Sequence, residues 1–128
     1  MAEPIVYIDR SRIARGKLDE LRSGIRRLVE FVEREEPRIV SYGFYLDVEG
    51  MRMTVIAIHP DAASLEFHME IGGPEFRKLR ELVDLTEIEV YGRLSERSLA
   101  QLHEKARMLG SGKVTVLTPD TGFARLAG

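Results

Sequence analysis

Apolar side chains in "KLDELRSGIRRLVEFVEREE" (17–36) return every three or four positions. Leu18, Leu21, Ile25, Leu28, Val29 and Val32 share one face, and Arg22, Arg26, Glu30, Glu33 and Arg34 fall outside it. That period is helical. Pro37 ends the helix, because its ring disfavours helical geometry in the residue before it. On either side the period drops to two. "PIVYIDRSRIA" (4–14) is β-branched and aromatic and reads as a strand closed by Gly16. "RIVSYGFYLDVEGMRMTVIAIHP" (38–60) reads as two strands joined at Glu49-Gly50, the glycine supplying the positive φ of a two-residue hairpin turn.

The second half alternates in the same way. Asp61 is placed to cap a helix that runs to about Ile71. Gly72-Gly73-Pro74 then breaks it, and "EFRKLRELV" (75–83) forms a short further helix. "TEIEVYGRL" (86–94) is a strand, with Ile88, Val90 and Leu94 opposite Glu87, Glu89 and Tyr91. "SERSLAQLHEKARML" (95–109) is a helix capped by Ser95, with Leu99, Leu102, Ala106 and Leu109 inward and Gly110 as its stop. "KVTVLTP" (113–119) is a last strand, and 120–128 is a tail. With no internal repeat, low-complexity tract or linker, residues 1–128 make one domain.

This order predicts an α+β fold: a ferredoxin-like antiparallel sheet with helices on one face, and a helix and strand (95–119) appended. The central hairpin is apolar on both faces. Val40, Tyr42, Phe44, Leu46 and Val48 line one side of its first strand, and Ile39 and Tyr45 the other. Met53, Val55 and Ala57 oppose Ile56 and Ile58 in its second. A hairpin with one wet face alternates cleanly. Here the helices can cover one face, and a second protomer is the simplest cover for the other.

Composition narrows the function classes. The net charge is −2, and basic residues are interleaved with acidic ones, as in "RRLVEFVEREEPR", so no basic stripe invites nucleic acid. "IVYI" (5–8) and "YGFY" (42–45) look like the aromatic strand motifs of an RNA-recognition module, but "YGFY" falls on the second strand rather than the third. "GSGKVT" (110–115) follows a helix and lacks the spacing of a phosphate loop. There is no cysteine, which excludes disulfides and thiolate metal sites. The apolar runs are short of a bilayer span, and "MAEPIVYIDR" carries no basic-then-apolar leader. A cytoplasmic protein without membrane contact is expected.

The candidate chemistry is histidine. His68 lies one turn after Leu65 and borders the stripe Ala62, Leu65, Met69 and Gly72. It reads either as a base facing a cavity or as a half-buried side chain bonded to a backbone carbonyl. His59, at a strand end before Pro60, reads as a second polar group at the cavity mouth or as an exposed loop residue. His59, His68 and His103 lack the i, i+4 spacing of a helical metal site, so no metal is expected. Tyr42 and Phe44 face the helices, as ligand-stacking rings or plain core, and Met53, Met69 and Phe76 are the side chains that would close or line a void there. Tyr45 and Tyr91 fall on the opposite parity and suit a dimer face. Arg10 and Arg12 read best as surface salt bridges.

Three stretches together resemble the antibiotic biosynthesis monooxygenase family of dimeric α+β barrels: "GKLDELR" (16–22), "EEPRIVSYGFYLDVEG" (35–50) and "HPDAASLEFHMEIGGPEFRKL" (59–79). The resemblance covers roughly residues 4–94. It implies a homodimer whose sheets pack face to face and whose last strand can reach the partner, a role the 95–119 arm would fill. It also implies a cofactor-independent monooxygenase-like activity on a small phenol or quinol. His68 or His59 would handle the proton, and Tyr42, Phe44, Met53 and Phe76 would hold the ring. Many members carry a tryptophan where this chain has His59, and the chain has no tryptophan at all. That departure weakens a heme-degrading reading in particular, and it keeps open a non-catalytic, small-molecule-binding or structural dimer of the same fold.

Overall fold

A computed structural model describes residues 3–126. Its elements are β1 (Ile5–Ile13), α1 (Leu18–Glu35), β2 (Ser41–Asp47), β3 (Arg52–His59), α2 (Ala62–Arg77), β4 (Val83–Tyr91), α3 (Glu96–Leu109) and β5 (Gly110–Leu117). The sheet order is β2-β3-β1-β4-β5. The first four strands pair antiparallel, as expected for a ferredoxin-like unit. β5 pairs with β4 in parallel, so the sheet is mixed rather than wholly antiparallel. The α3 crossover is the reason: a helix between two strands carries the chain back to start the next strand in the same direction. The appended arm thus lies on its own chain's sheet, which stays open rather than closing into a barrel.

Strand parity sorts the side chains. Along β1, Ile5, Tyr7, Asp9, Ser11 and Ile13 are buried and face the helices. Met53, Val55, Ala57 and His59 of β3 do the same. Leu21, Leu28 and Val32 of α1, Leu65, Met69 and Phe76 of α2, and Leu102, Ala106 and Leu109 of α3 complete one core. Leu99 is 37% exposed and not inward as expected; Ser98 and Lys105 take buried places on α3 instead. The opposite sheet face carries half-buried Val6, Ile8, Ile56 and Ile58, with no helix of the described residues over them. There Arg10 pairs with Glu87 and Glu89 at 3.1 and 3.0 Å, and Arg12 with Asp84 at 3.4 Å, the surface ion pairs the alternation suggested.

Three local expectations are corrected. α2 runs through Gly72-Gly73-Pro74 without a break, and no separate helix forms over 75–83. The missing Cβ of Gly72 explains the continuity: a methyl there would fall 2.5 Å from Cζ of Phe76, so the glycine admits the Phe76 ring against the helix. β4 begins at Val83 and β5 at Gly110, each three residues earlier than the alternation indicated. The hairpin turn occupies 48–51 rather than two residues. Its positive φ falls on Met51 (φ 52), while Gly50 donates its N–H to Oδ1 of Asp47 at 3.0 Å. The tail has no helix or strand through residue 126, and its last two residues lie outside the described residues. No helix among the described residues is long and apolar enough to cross a membrane.

Candidate active site

His59 and His68 meet through the start of α2. His59 ends β3 on the inward parity and is fully buried, which corrects the exposed-loop reading. Asp61 caps α2 by accepting the N–H of Ser64 at 3.0 Å, and this fixes Ser64 with its Oγ 2.8 Å from Nδ1 of His59. One helical turn later, His68 projects from the same side. Its ring centroid lies 5.3 Å from that of His59, 5.1 Å from Tyr42 and 5.1 Å from Phe76.

His68 is also fully buried, and its partner is not a backbone carbonyl. Nδ1 lies 2.6 Å from Oε2 of Glu36. Glu36 is the C-cap of α1, where its N–H still bonds Val32 O. Pro37 then turns the chain away and the Glu36 side chain folds inward, with only 3% of the residue exposed. Among the described residues, three buried atoms of this cluster find no hydrogen-bond partner: Oε1 of Glu36, Nε2 of His59 and Nε2 of His68. Such orphans are uncommon in native interiors and each calls for an explanation, a bound group among them.

Burial dominates the electrostatics. It raises the Glu36 carboxyl to about 7. It lowers His68 to about 3, with Lys105 adding to the effect and Asp9 opposing it. It likewise lowers His59 to about 3, helped by His68 and Lys105. Both imidazoles are therefore neutral near pH 7, and Glu36 exchanges its proton there.

A second cluster lies deeper. Tyr7 Oη donates to Oδ2 of Asp9 at 2.5 Å, and Nζ of Lys105 reaches the same oxygen at 3.3 Å. The ammonium sits 4.2 Å from the ring centroid of Phe76 and 4.7 Å from that of Tyr7. Burial first, then Asp9, holds the Tyr7 hydroxyl well above its ordinary value; burial lowers Lys105 against the pull of Asp9. Asp9 and Lys105 line a cavity of about 20 Å³ between sheet and helices. Tyr42, Phe44, Met53 and Phe76, all four ring-holding candidates, line that same cavity. A wider groove of about 290 Å³ opens between the end of α1 and β2, with Glu36 and Tyr42 in its wall. Among the described residues no group of three or more His, Asp or Glu side chains is gathered to hold a metal ion.

No protein-family model and no curated protein matches the chain. Solved structures do. MupZ from Pseudomonas fluorescens superposes with a TM-score of 0.75 at 18% identity, over 98% of this chain and 91% of its own. SnoaB, a cofactor-independent oxygenase from Streptomyces nogalater, gives 0.61 at 20% identity over 73% and 96%. An antibiotic biosynthesis monooxygenase gives 0.58 at 23% over 67% and 94%. The fold is that of the antibiotic biosynthesis monooxygenase-like proteins.

The superposition on MupZ is long enough to include α3 and β5 as well as the ferredoxin-like part. SnoaB and the antibiotic biosynthesis monooxygenase cover too little of the chain to match all of it. Glu36, Ser64, Tyr7, Asp9 and Lys105 were not singled out by the sequence. Two of them left a trace there. Asp9 shares the inward parity of Ile5 and Tyr7, and Lys105 follows Leu102 by three residues on the apolar stripe of its helix. Glu36 left none, because it stands just past the periodic part of α1.

Proposed function

We propose that the protein is a cytoplasmic, homodimeric, cofactor-independent monooxygenase-like enzyme acting on a small phenol or quinol held between the sheet and the helices. The observation that carries this reading is His68, buried, held at Nδ1 by Glu36 and unpartnered at Nε2. A carboxylate on one imidazole nitrogen fixes the tautomer and leaves the other as a base. With Glu36 ionised, Nδ1 carries the hydrogen and Nε2 accepts the proton of the substrate hydroxyl; burial disfavours the imidazolium so formed, and the Glu36 carboxylate on Nδ1 and the new phenolate beside Nε2 offset that. The phenolate so formed is itself the reductant. It gives an electron to dioxygen, the pair recombines at ring carbon as a hydroperoxide, and loss of water leaves a quinone. One phenol and one dioxygen give one quinone and one water. The chain supplies placement, desolvation and the proton acceptor. Tyr42, Phe44, Met53 and Phe76 would contact the ring, and His59, held by Ser64, would offer a second polar contact.

The fold shared with SnoaB supports this reading. A second reading rests on the cavity itself. Its volume of about 20 Å³ suits one water rather than a ring. The protein would then be a non-catalytic dimer, structural or binding a small apolar molecule. Oxygen uptake with a panel of quinols separates the two. The enzyme reading expects uptake by the wild type and a loss of at least about a hundredfold in His68→Ala. Uptake by neither protein, or by both equally, sinks it.

A further inference from the structure

The buried Asp9–Lys105 pair has no part in the proton step just described, yet it lines the cavity walled by Tyr42 and Phe76, the two rings that His68 packs against from behind. A pair of this kind is a poor way to stabilise a core. Two desolvated charges seldom do better than two apolar side chains of the same volume. We propose that Lys105, delivered from α3 and aligned by Asp9, is the anion-binding group of this site, taking the ionised oxygen of a conjugated hydroxyl ligand. This rests on the reading of the cavity as a substrate site.

The geometry argues for a free binding capacity at Nζ. An ammonium carries three donors. Among the described residues, Lys105 uses one, on Oδ2 of Asp9, at the long distance of 3.3 Å. Its other sides face the aromatic rings of Tyr7 and Phe76. Those faces hold a cation but cannot replace an oxygen acceptor. Tyr7 donates to the same Oδ2 at 2.5 Å, so that oxygen is shared between two donors and is held more closely by Tyr7 than by Lys105.

Charge balance favours an anion formed inside the site over one carried in. A neutral phenol that loses its proton to His68 leaves the total charge of the two clusters unchanged. The proton and the phenolate then rest on groups that both touch Phe76: His68 at 5.1 Å between ring centroids and Lys105 at 4.2 Å from Nζ. In a site closed to water, that attraction is far stronger than in solution. A chain that ended after β4 could not supply it, since Lys105 sits on α3.

The test uses 4-nitrophenol, whose anion is coloured, and 4-nitroanisole, which cannot ionise. With the full-length protein, the bound nitrophenol should ionise at a pH at least about one unit below that of the free compound, a tenfold preference for the anion. Lys105→Met should remove that preference while leaving 4-nitroanisole affinity within about twofold of wild type. The Asp9→Asn, Lys105→Met double variant removes both charges and should behave in the same way, which guards against misfolding caused by a stranded Asp9. An unshifted ionisation in the wild type, no binding of either compound, or a shift that survives Lys105→Met overturns the proposal. The two readings fail separately. Absence of quinol oxidation with a Lys105-dependent shift removes the oxygenase reading alone. Oxidation without the shift removes the anion site alone.

Discussion

Nδ1 of His68 lies 2.6 Å from Oε2 of Glu36, although the two are 32 residues apart in sequence and both are buried. This contact joins the end of α1 to the middle of α2 and sets the protonation of the site. Because burial raises Glu36 to about 7, the form that leaves Nε2 of His68 as a base appears as pH rises through that value. We expect kcat/KM for quinol oxidation to climb through about pH 7. Glu36→Gln should lower it by about a hundredfold and flatten the climb. A wild-type profile level between pH 5 and 9 refutes the role given to Glu36.

The same groups set the response of stability to pH. His59 and His68 are lowered from 6.5 to about 3, so the stability they contribute is complete above 6.5 and is lost as pH falls toward 3. Glu36 is raised from 4.5 to about 7, so its contribution is complete below 4.5 and is lost as pH rises to 7. Two histidines outweigh one carboxyl between 4.5 and 6.5, so stability rises with pH across that window and continues to fall below it. Denaturant melts at pH 4.5 and 6.5 should differ by a few kcal/mol, on the order expected for displaced buried groups. His59→Gln should shrink the difference. Equal midpoints at the two pH values contradict the buried neutral histidines.

Gly72 and Gly73 are adjacent, yet their substitution should differ sharply in cost. A Cβ on Gly72 would strike Phe76 at 2.5 Å, whereas one on Gly73 meets nothing within 4 Å beyond its own chain neighbours. Gly73→Ala should change stability by less than about 1 kcal/mol, because the backbone freedom alanine saves in a helix is offset by the crowding of a Cβ just before Pro74. Gly72→Ala should destabilise by about 1–3 kcal/mol through overpacking. Phe76 walls the cavity from this stretch of α2, where Pro74 supplies no N–H to the helical ladder. If a ring enters by displacing Phe76, Gly73→Ala should also slow turnover. Thermal melts and steady-state rates of the two variants read this out, and a loss for Gly73→Ala as large as that for Gly72→Ala would count against the packing described.

The elements were legible because each has a clear period. α1 shows its apolar face, β1 and β3 their alternation, and α3 its Ser95 cap, where Ser98 N–H donates to Ser95 Oγ at 3.0 Å. Gly72-Gly73-Pro74 misled for a physical reason. Its residues have low helix propensity, but Phe76 packing overrides that. The direction of β5 required knowing where α3 leaves the chain. His68 was legible as a polar group on an apolar stripe, and the inward parity of Tyr42, Phe44 and Met53 was correct. Glu36 and Lys105 were not, because charged residues on helices are ordinarily solvated. Only their tertiary partners, His68 and Asp9, mark them as buried.

The outer sheet face yields a last prediction. Val6 pairs across strands with Ile58, and Ile8 with Ile56, so four aliphatic side chains form a contiguous patch. Tyr91 lies opposite Val6, and Tyr45 lies across Gly43, whose added Cβ would sit 3.1 Å from that ring. Tyr45 remains 57% exposed and Tyr91 38%. Joined apolar surface of this kind on a sheet is a docking face by default. Its isologous use by two copies fits a face that reads alike from either side of a two-fold axis. We expect sedimentation at micromolar concentration to give twice the chain mass of 14.5 kDa. Ile56→Glu should shift it to the single-chain value. Because Ile56 points away from the helices, the circular dichroism of the variant should match that of the wild type. A wild-type species near 14.5 kDa removes the dimer, and a variant that loses its helical signal shows that the patch belongs to the core instead.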